Sequence, residues 1–178
     1  TLHRYLNDLN SGYASALIGK WHLGGSQPDP AYPNIMGVPH YAGLLAGAVN
    51  SYSNWPLTIN GATSPSSEYI TTKLTDLAID WIAQQSEPWF CWLAYNAPHT
   101  PLHLPPLDMH NQGALPTDAA SINADPLPYY LAMCESVDHE IGRLLAALPP
   151  GEAANTVVIF LGDNGTEVDV IQAPYLQN

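Results

Sequence analysis

The sequence predicts an α/β fold, a mostly parallel sheet flanked by helices, and three observations carry that expectation. Helix-like and strand-like segments alternate along the chain, an order that favours parallel strands joined by covering helices. Residues 89–95 and 156–161 are apolar almost throughout, as expected of strands covered on both faces. With 46% apolar and 11% charged residues in 178, the chain can build one core and is too hydrophobic for a disordered polymer. Residues 1–178 are read as a single domain.

The elements follow in order. Residues 2–9 read as the end of a helix stopped at Asn10-Ser11-Gly12. Residues 13–18 form a short apolar strand that ends at Gly19. Residues 24–67 are rich in Gly, Pro, Asn and Ser and read as loops, with a short hairpin where residues 55–59 meet the turn Asn60-Gly61. Ile70, Leu74, Leu77, Ala78, Trp81 and Ile82 recur at helical spacing, with Ser66 and Ser67 as cap candidates and Glu68 favouring the positive end of the helix dipole. Residues 89–95 are the second strand, and residues 97–124 are a proline-punctuated excursion. Asp125-Pro126 opens a long helix whose stripe includes Tyr130, Met133, Val137, Ile141 and Leu144, stopped at Pro149-Pro150-Gly151. Residues 156–161 are the third strand, ending at Gly162-Asp163-Asn164-Gly165.

Charge and composition exclude several functions. Sixteen acidic and four basic side chains give a formal charge of −12. With Arg4, Lys20, Lys73 and Arg143 as the whole supply of permanent cations, there is no basic stripe for nucleic acid and no polybasic patch for anionic lipid. No apolar run approaches the roughly 18 residues needed to cross a bilayer. No signal peptide is visible, and the chain is headed by Thr1, not Met, which reads as a piece of a longer reading frame. Cys91 and Cys134 both sit in apolar surroundings and read as small buried thiols.

In a parallel sheet, ligands bind beyond the carboxyl ends of the strands, so the three strand ends are the places to search. After the first come Lys20 and His22, which share one side of an extended backbone and form a small cationic clamp. After the second comes His99 between Pro98 and Pro101. After the third come Asp163 and Asn164, oxygen donors suited to a hard cation such as Ca²⁺ or Mg²⁺. Taken singly, each has a plainer reading: a solvated lysine, a structural histidine, a turn. Together they resemble a rim that could hold a tetrahedral oxyanion ester, with ammonium and metal on the oxygens and imidazoles moving protons. His103 is a reserve candidate and His40 lies in a loop that could reach the rim. His3 and His110 are placed in polar or frayed surroundings, His139 beside Asp138 on the long helix. Asp138 and Arg143 read as helix-surface charges.

At these residues the chain resembles the sulfatase family of the alkaline-phosphatase-like superfamily. Residues 12–24, GYASALIGKWHLG, match the signature G-Y-x-[ST]-x-x-x-G-K-W-H-L-G. Residues 97–101, APHTP, resemble the family's A-P-H-x-P loop, and residues 161–165, LGDNG, its D-N-G metal motif, preceded by a similar helix at residues 137–145. The likeness runs in the family's order over nearly the whole chain, residues 26–67 excepted. It implies that Lys20 contacts the sulfate and the nucleophile and that His22 hydrogen-bonds the nucleophile and helps collapse the sulfated intermediate. It further implies that His99 binds the ester and helps protonate the leaving alcohol, while Asp163 and Asn164 ligate Ca²⁺ or Mg²⁺. The implied partner is a sulfated small molecule or carbohydrate, and the implied compartment is periplasmic or secreted.

The departures are equally specific. The family's C-x-P-S-R motif, whose cysteine becomes the formylglycine nucleophile, has no counterpart, because the settings of Cys91 and Cys134 differ from it. The paired aspartates of the family's first strand and the lysine beyond D-N-G are also absent. The chain therefore resembles the middle of a sulfatase catalytic domain, a truncated one. The expectation is a sulfuric ester hydrolase domain that binds its metal weakly and does not turn over alone. Two alternatives stand beside it: a non-catalytic remnant that forms homo-oligomers through an exposed sheet edge, and a phosphate or phosphonate ester hydrolase of the same superfamily.

Overall fold

The computed structural model describes residues 1–25 and 28–173. Ser26 and Gln27, inside the predicted loop, and residues 174–178 lie outside them. Five strands form one open sheet in the order β4-β3-β2-β1-β5. They are β1 (Ala14–Gly19), β2 (His40–Gly43), β3 (Trp55–Ile59), β4 (Ala62–Ser66) and β5 (Trp89–Ala94). β1 runs parallel to both neighbours, with Leu17 opposite Tyr41 on β2 and Trp92 on β5. The β2–β3 and β3–β4 pairings are antiparallel, so the sheet is mixed. Its α/β character holds, and its parallel part is the β2-β1-β5 half that ends at the β5 edge.

Alternation along the strands sorts side chains between two layers. On one face Ala16, Ile18, Ala42 and Leu44 meet Ile70, Leu74 and Ala78 of α3 (Ile70–Ile82), and Met133 and Val137 of α5 (Leu127–Ala147) close the same core. On the other, Leu17, Trp21, Val38 and Tyr41 pack with Tyr32 and Met36 of the turn around α2 (Tyr32–Ile35). Further along that face, His3 of α1 (Leu2–Asp8) lies 5.2 Å from Phe90 of β5. α5 is joined to α3 by Arg143, whose guanidinium reaches Asp76 at 2.8 Å and the buried Glu140 at 2.6 Å. Arg143 is thus an interhelical tie; Asp138, five residues earlier on α5, is exposed.

The predicted hairpin is present. Asn60 and Gly61 both have positive φ, 44° and 88°, the pattern of a tight hairpin turn, and Asn60 Oδ1 accepts the Tyr41 amide at 2.8 Å. Other details differ from expectation. The loop at residues 24–67 contains α2 and β2, whose four-residue lengths fall below what periodicity detects. α3 starts after Tyr69 without a side-chain cap, and Ser66 instead accepts the Glu68 amide at 3.4 Å. A short helix, α4 (Ala119–Ala124), precedes α5 and is capped by Asp118, whose carboxylate accepts the Ser121 amide at 3.0 Å. Asp125 terminates α4 and does not cap α5. His3 is 1% exposed and His110 8% exposed, so both are core residues, not frayed ones. His40 is on β2, where its ring stacks on Trp81 at 6.1 Å, facing α3 and not the rim.

The largest correction concerns the third strand. Residues 156–161 pair with no strand among the described residues, and Val157 and Phe160 are 84% and 77% exposed. β5 is therefore an edge strand, with Trp92 49% exposed, and is not covered on both faces. Apolar composition identified a segment able to form a strand; it carried no information about a partner. The segment is tied at both flanks, because Trp89 Nε1 donates to Glu152 at 3.1 Å ahead of it and Lys20 meets Asp163 at 3.7 Å beyond it. No helix among the described residues is long and apolar enough to cross a membrane.

Two measurements check this packing. Phe160→Asp should change stability by less than about 0.5 kcal/mol. Met133→Ala, at a site with 0% exposure, should cost about 2–5 kcal/mol in urea unfolding. A large loss in the Phe160 variant would mean that the run is packed. Separately, burial and then the nearby chain-terminal ammonium lower the His3 pKa from 6.5 to about 4. A group that resists protonation only in the native state stabilises fully above the unfolded value. Melting temperature should therefore fall as pH drops from 6.5 towards about 4, and His3→Leu should flatten that slope.

Candidate active site

The rim is built where β1 and β5 end side by side. Gly19 has φ 118°, and a Cβ there would collide with the Ala94 carbonyl, so only glycine lets the two strand ends approach this closely. The chain then threads between its neighbours: Lys20 N donates to Ala94 O at 2.9 Å, Trp21 N to Leu44 O at 2.9 Å and His22 N to Leu45 O at 3.1 Å. Trp21 turns into the core, 5% exposed, edge-on to Tyr32 and Tyr41. That burial sends Lys20 the other way, and its side chain is 16% exposed with Nζ 3.7 Å from Asp163 Oδ2.

His22 departs from the path assumed for it. Its φ is 51°, in the left-handed region, so the extended backbone ends at Trp21 and the side of His22 is set by this turn, not by strand alternation. Its exposed imidazole lies over Gly47, where a Cβ would overlap the ring. Gly47 is thus a positional requirement of His22 that the loop composition alone did not single out.

His99 follows β5 in a tight turn, its amide donating to Asn96 O at 2.9 Å. Its Nδ1 lies 2.9 Å from Thr100 O. A carbonyl only accepts, so Nδ1 carries a proton in this contact and the exposed ring leaves Nε2 open to the rim. Asn96, 5% exposed, has a buried Oδ1 with no hydrogen-bond partner among the described residues. This unsatisfied acceptor stands three residues before His99; its position just past an apolar strand was the available signal, and sequence reasoning passed over it.

Lys20, His22 and His99 therefore issue from the carboxyl ends of two adjacent parallel strands, and Asp163 joins them through the ion pair with Lys20. No hydrogen bond among the described residues links either imidazole to that pair. Asn164 is exposed, with Nδ2 donating to Gly165 O at 3.1 Å. Two oxygen donors suit a hard cation in kind but not in number, since Mg²⁺ takes about six and Ca²⁺ about six to eight. No cluster of three His, Cys, Asp or Glu able to hold a metal occurs among the described residues. The donors present do not by themselves make a cation site. Nor is there an activated thiol: burial pushes Cys91 up to about 12 and raises Cys134 as well.

Comparison with known proteins bears on this arrangement. The sulfatase family model matches residues 1–176. The chain is 31% identical over 185 residues to the uncharacterized sulfatase YdeN of Escherichia coli K12, covering 90% of this chain and 32% of that protein. It is 26% identical over 212 residues to an arylsulfatase of Klebsiella aerogenes, covering 88% and 45% respectively. Among solved structures, Ps i-CgsB matches with a TM-score of 0.63 and 30% identity over 82% of this chain and 35% of that one. Its complex with k-i-k-neocarrahexaose matches with a TM-score of 0.62 and 29% identity, over 85% and 37%. The chain spans 32% and 45% of the two curated relatives named, less than half of either. With the family match extending over residues 1–176 and the GYASALIGKWHLG segment delivering Lys20 to the strand end, the chain belongs to the sulfatase family.

Proposed function

We propose that this chain is one sulfatase-like unit, residues 1–178, carrying part of the oxyanion-binding rim of a sulfuric ester hydrolase. The observation that carries the reading is the ion pair of Lys20 with Asp163 at 3.7 Å beside the coterminal ends of β1 and β5. In a chain with formal charge −12, an ammonium with little exposure at that rim is where an anionic ester can be held. Lys20 binds non-bridging sulfate oxygens and is drawn from Asp163 to do so. In a complete enzyme that supplies the nucleophile, His22 would hydrogen-bond the attacking hydroxyl and His99, once protonated at Nε2, would donate to the leaving alcohol. Sulfatases in general depend on a metal. Asp163 and Asn164 supply two oxygen ligands towards Ca²⁺ or Mg²⁺, too few for tight binding. The substrate is a sulfated carbohydrate or small molecule; the likeness to a structure holding k-i-k-neocarrahexaose favours the carbohydrate.

Turnover by the 178-residue chain is not expected, because the sequence contains no C-x-P-S-R segment and loss of a covalent nucleophile costs several orders of magnitude. Calorimetry should show weak binding of inorganic sulfate that Lys20→Ala reduces by about tenfold, the scale of one lost charge-assisted hydrogen bond. An aryl sulfate assay should show no hydrolysis above background with or without Ca²⁺. Equal sulfate binding by the Lys20 variant would sink the assignment, and robust turnover would refute the inactivity. Tighter binding of phosphate than of sulfate would favour a phosphate or phosphonate ester hydrolase.

The exposed run at residues 156–161 and the free edge of β5 favour a second reading, a non-catalytic remnant that self-associates. Sedimentation would then show concentration-dependent oligomers that Phe160→Asp disperses; a monomer at all concentrations rejects this reading.

A further inference from the structure

The loop that bears His99 is held from behind by two tyrosines and a second histidine. Tyr52, 3% exposed, is fixed at both ends: its carbonyl accepts the Ile70 amide at 2.8 Å, and its hydroxyl donates to the His99 carbonyl at 2.7 Å. Burial raises the Tyr52 phenol far above its ordinary range, so it remains a donor. The imidazole of His103 rests against the Tyr52 ring with centroids 4.2 Å apart. Both His103 nitrogens are engaged, Nδ1 3.0 Å from Pro101 O and Nε2 3.1 Å from the Tyr69 hydroxyl. The carbonyl only accepts, so Nδ1 carries the proton and Tyr69 donates to Nε2. Burial lowers the His103 pKa, in keeping with this neutral form. Tyr69 is itself anchored where α3 begins, with its hydroxyl 3.4 Å from Ser136 Oγ on α5.

The loop is thus clamped through two of its own carbonyls, those of His99 and Pro101, onto the helical layer. Packing alone would be served by apolar side chains, whereas hydrogen bonds to these carbonyls set the direction of the loop and so of the ring it carries. We propose that Tyr52, His103 and Tyr69 are positioning residues that hold the His99 imidazole at the rim, an inference that rests on the assignment of His99 to the ester-binding site made above. His103 serves in place behind the loop and does not meet the substrate.

Long-range ¹H–¹⁵N spectra of the labelled 178-residue chain test this through the imidazole of His99. The native chain should give one set of His99 signals with Nδ1 protonated. Tyr52→Phe, which keeps the ring contact and removes the donor, and His103→Phe should each broaden or split that set and lose the single-tautomer signature. Methyl signals of Leu74 and Met133 should stay at their native positions. His103→Gln, which can still accept from Tyr69, should restore the native set in larger part than His103→Phe. Native His99 signals in both Tyr52→Phe and His103→Phe would overturn the proposal, as would displacement of the core methyls together with His99, which would mark the clamp as mere packing. Sodium sulfate added to the native chain separates the two assignments: no shift at His99 counts against ester binding, while the variant spectra still report on the clamp.

Discussion

The parallel pairing of β1 with β5 is the constraint on which the rest of the structure depends. Six residues of each strand are in register, from Ala14 opposite Trp89 to Gly19 opposite Ala94. The glycine at the last position lets the two backbones stay together to their ends, and the Lys20 amide then closes on the same Ala94 carbonyl. Because the strands are parallel, both following loops leave in the same direction. The lysine–histidine segment and the His99 loop are thereby neighbours by construction, before any side chain is considered. The helical layer enforces this from one side through α3, and the Trp21 cluster from the other.

The remaining contributor arrives less securely. Asp163 stands beyond a run of exposed apolar residues that pairs with no strand among the described residues, and its ion pair with Lys20 spans 3.7 Å with the carboxylate largely in water. Such a pair is worth at most about 1 kcal/mol. A weakly tethered carboxylate next to a constrained ammonium is a labile arrangement, as the proposed capture of an ester anion by Lys20 requires. Asp163 and Asn164 stand on a single turn, and no cluster of three or more His, Cys, Asp or Glu able to hold a metal occurs among the described residues.

Much of the fold was legible in the sequence where the signal was local. The stripe Ile70, Leu74 and Ala78 specified α3, the Asn60-Gly61 pair specified the hairpin turn, and Gly19 followed by Lys20 marked the end of β1. What escaped was set by tertiary partners. β2 is four residues long and exists because β1 offers it a parallel edge. Residues 156–161 carry a stronger strand pattern than β2 and form none, because no partner meets them among the described residues. Asp125 ends α4, which Asp118 caps, so the long helix α5 begins without a side-chain cap. His3 looked frayed because it is near the start of the chain, yet α1 folds it onto Phe90. At the rim, residue types were readable from the motifs, but the left-handed turn at His22 and the orphaned Asn96 oxygen required coordinates.

A crystal of the chain grown with selenate, a heavier analogue of sulfate, tests the central claim most directly by its anomalous signal. The account predicts one selenium site at the coterminal ends of β1 and β5, with an oxygen about 2.7–3.2 Å from the Lys20 ammonium and both His22 and His99 facing it. Selenate bound only elsewhere, with Lys20 still held by Asp163 and the two imidazoles turned to separate surfaces, would contradict it.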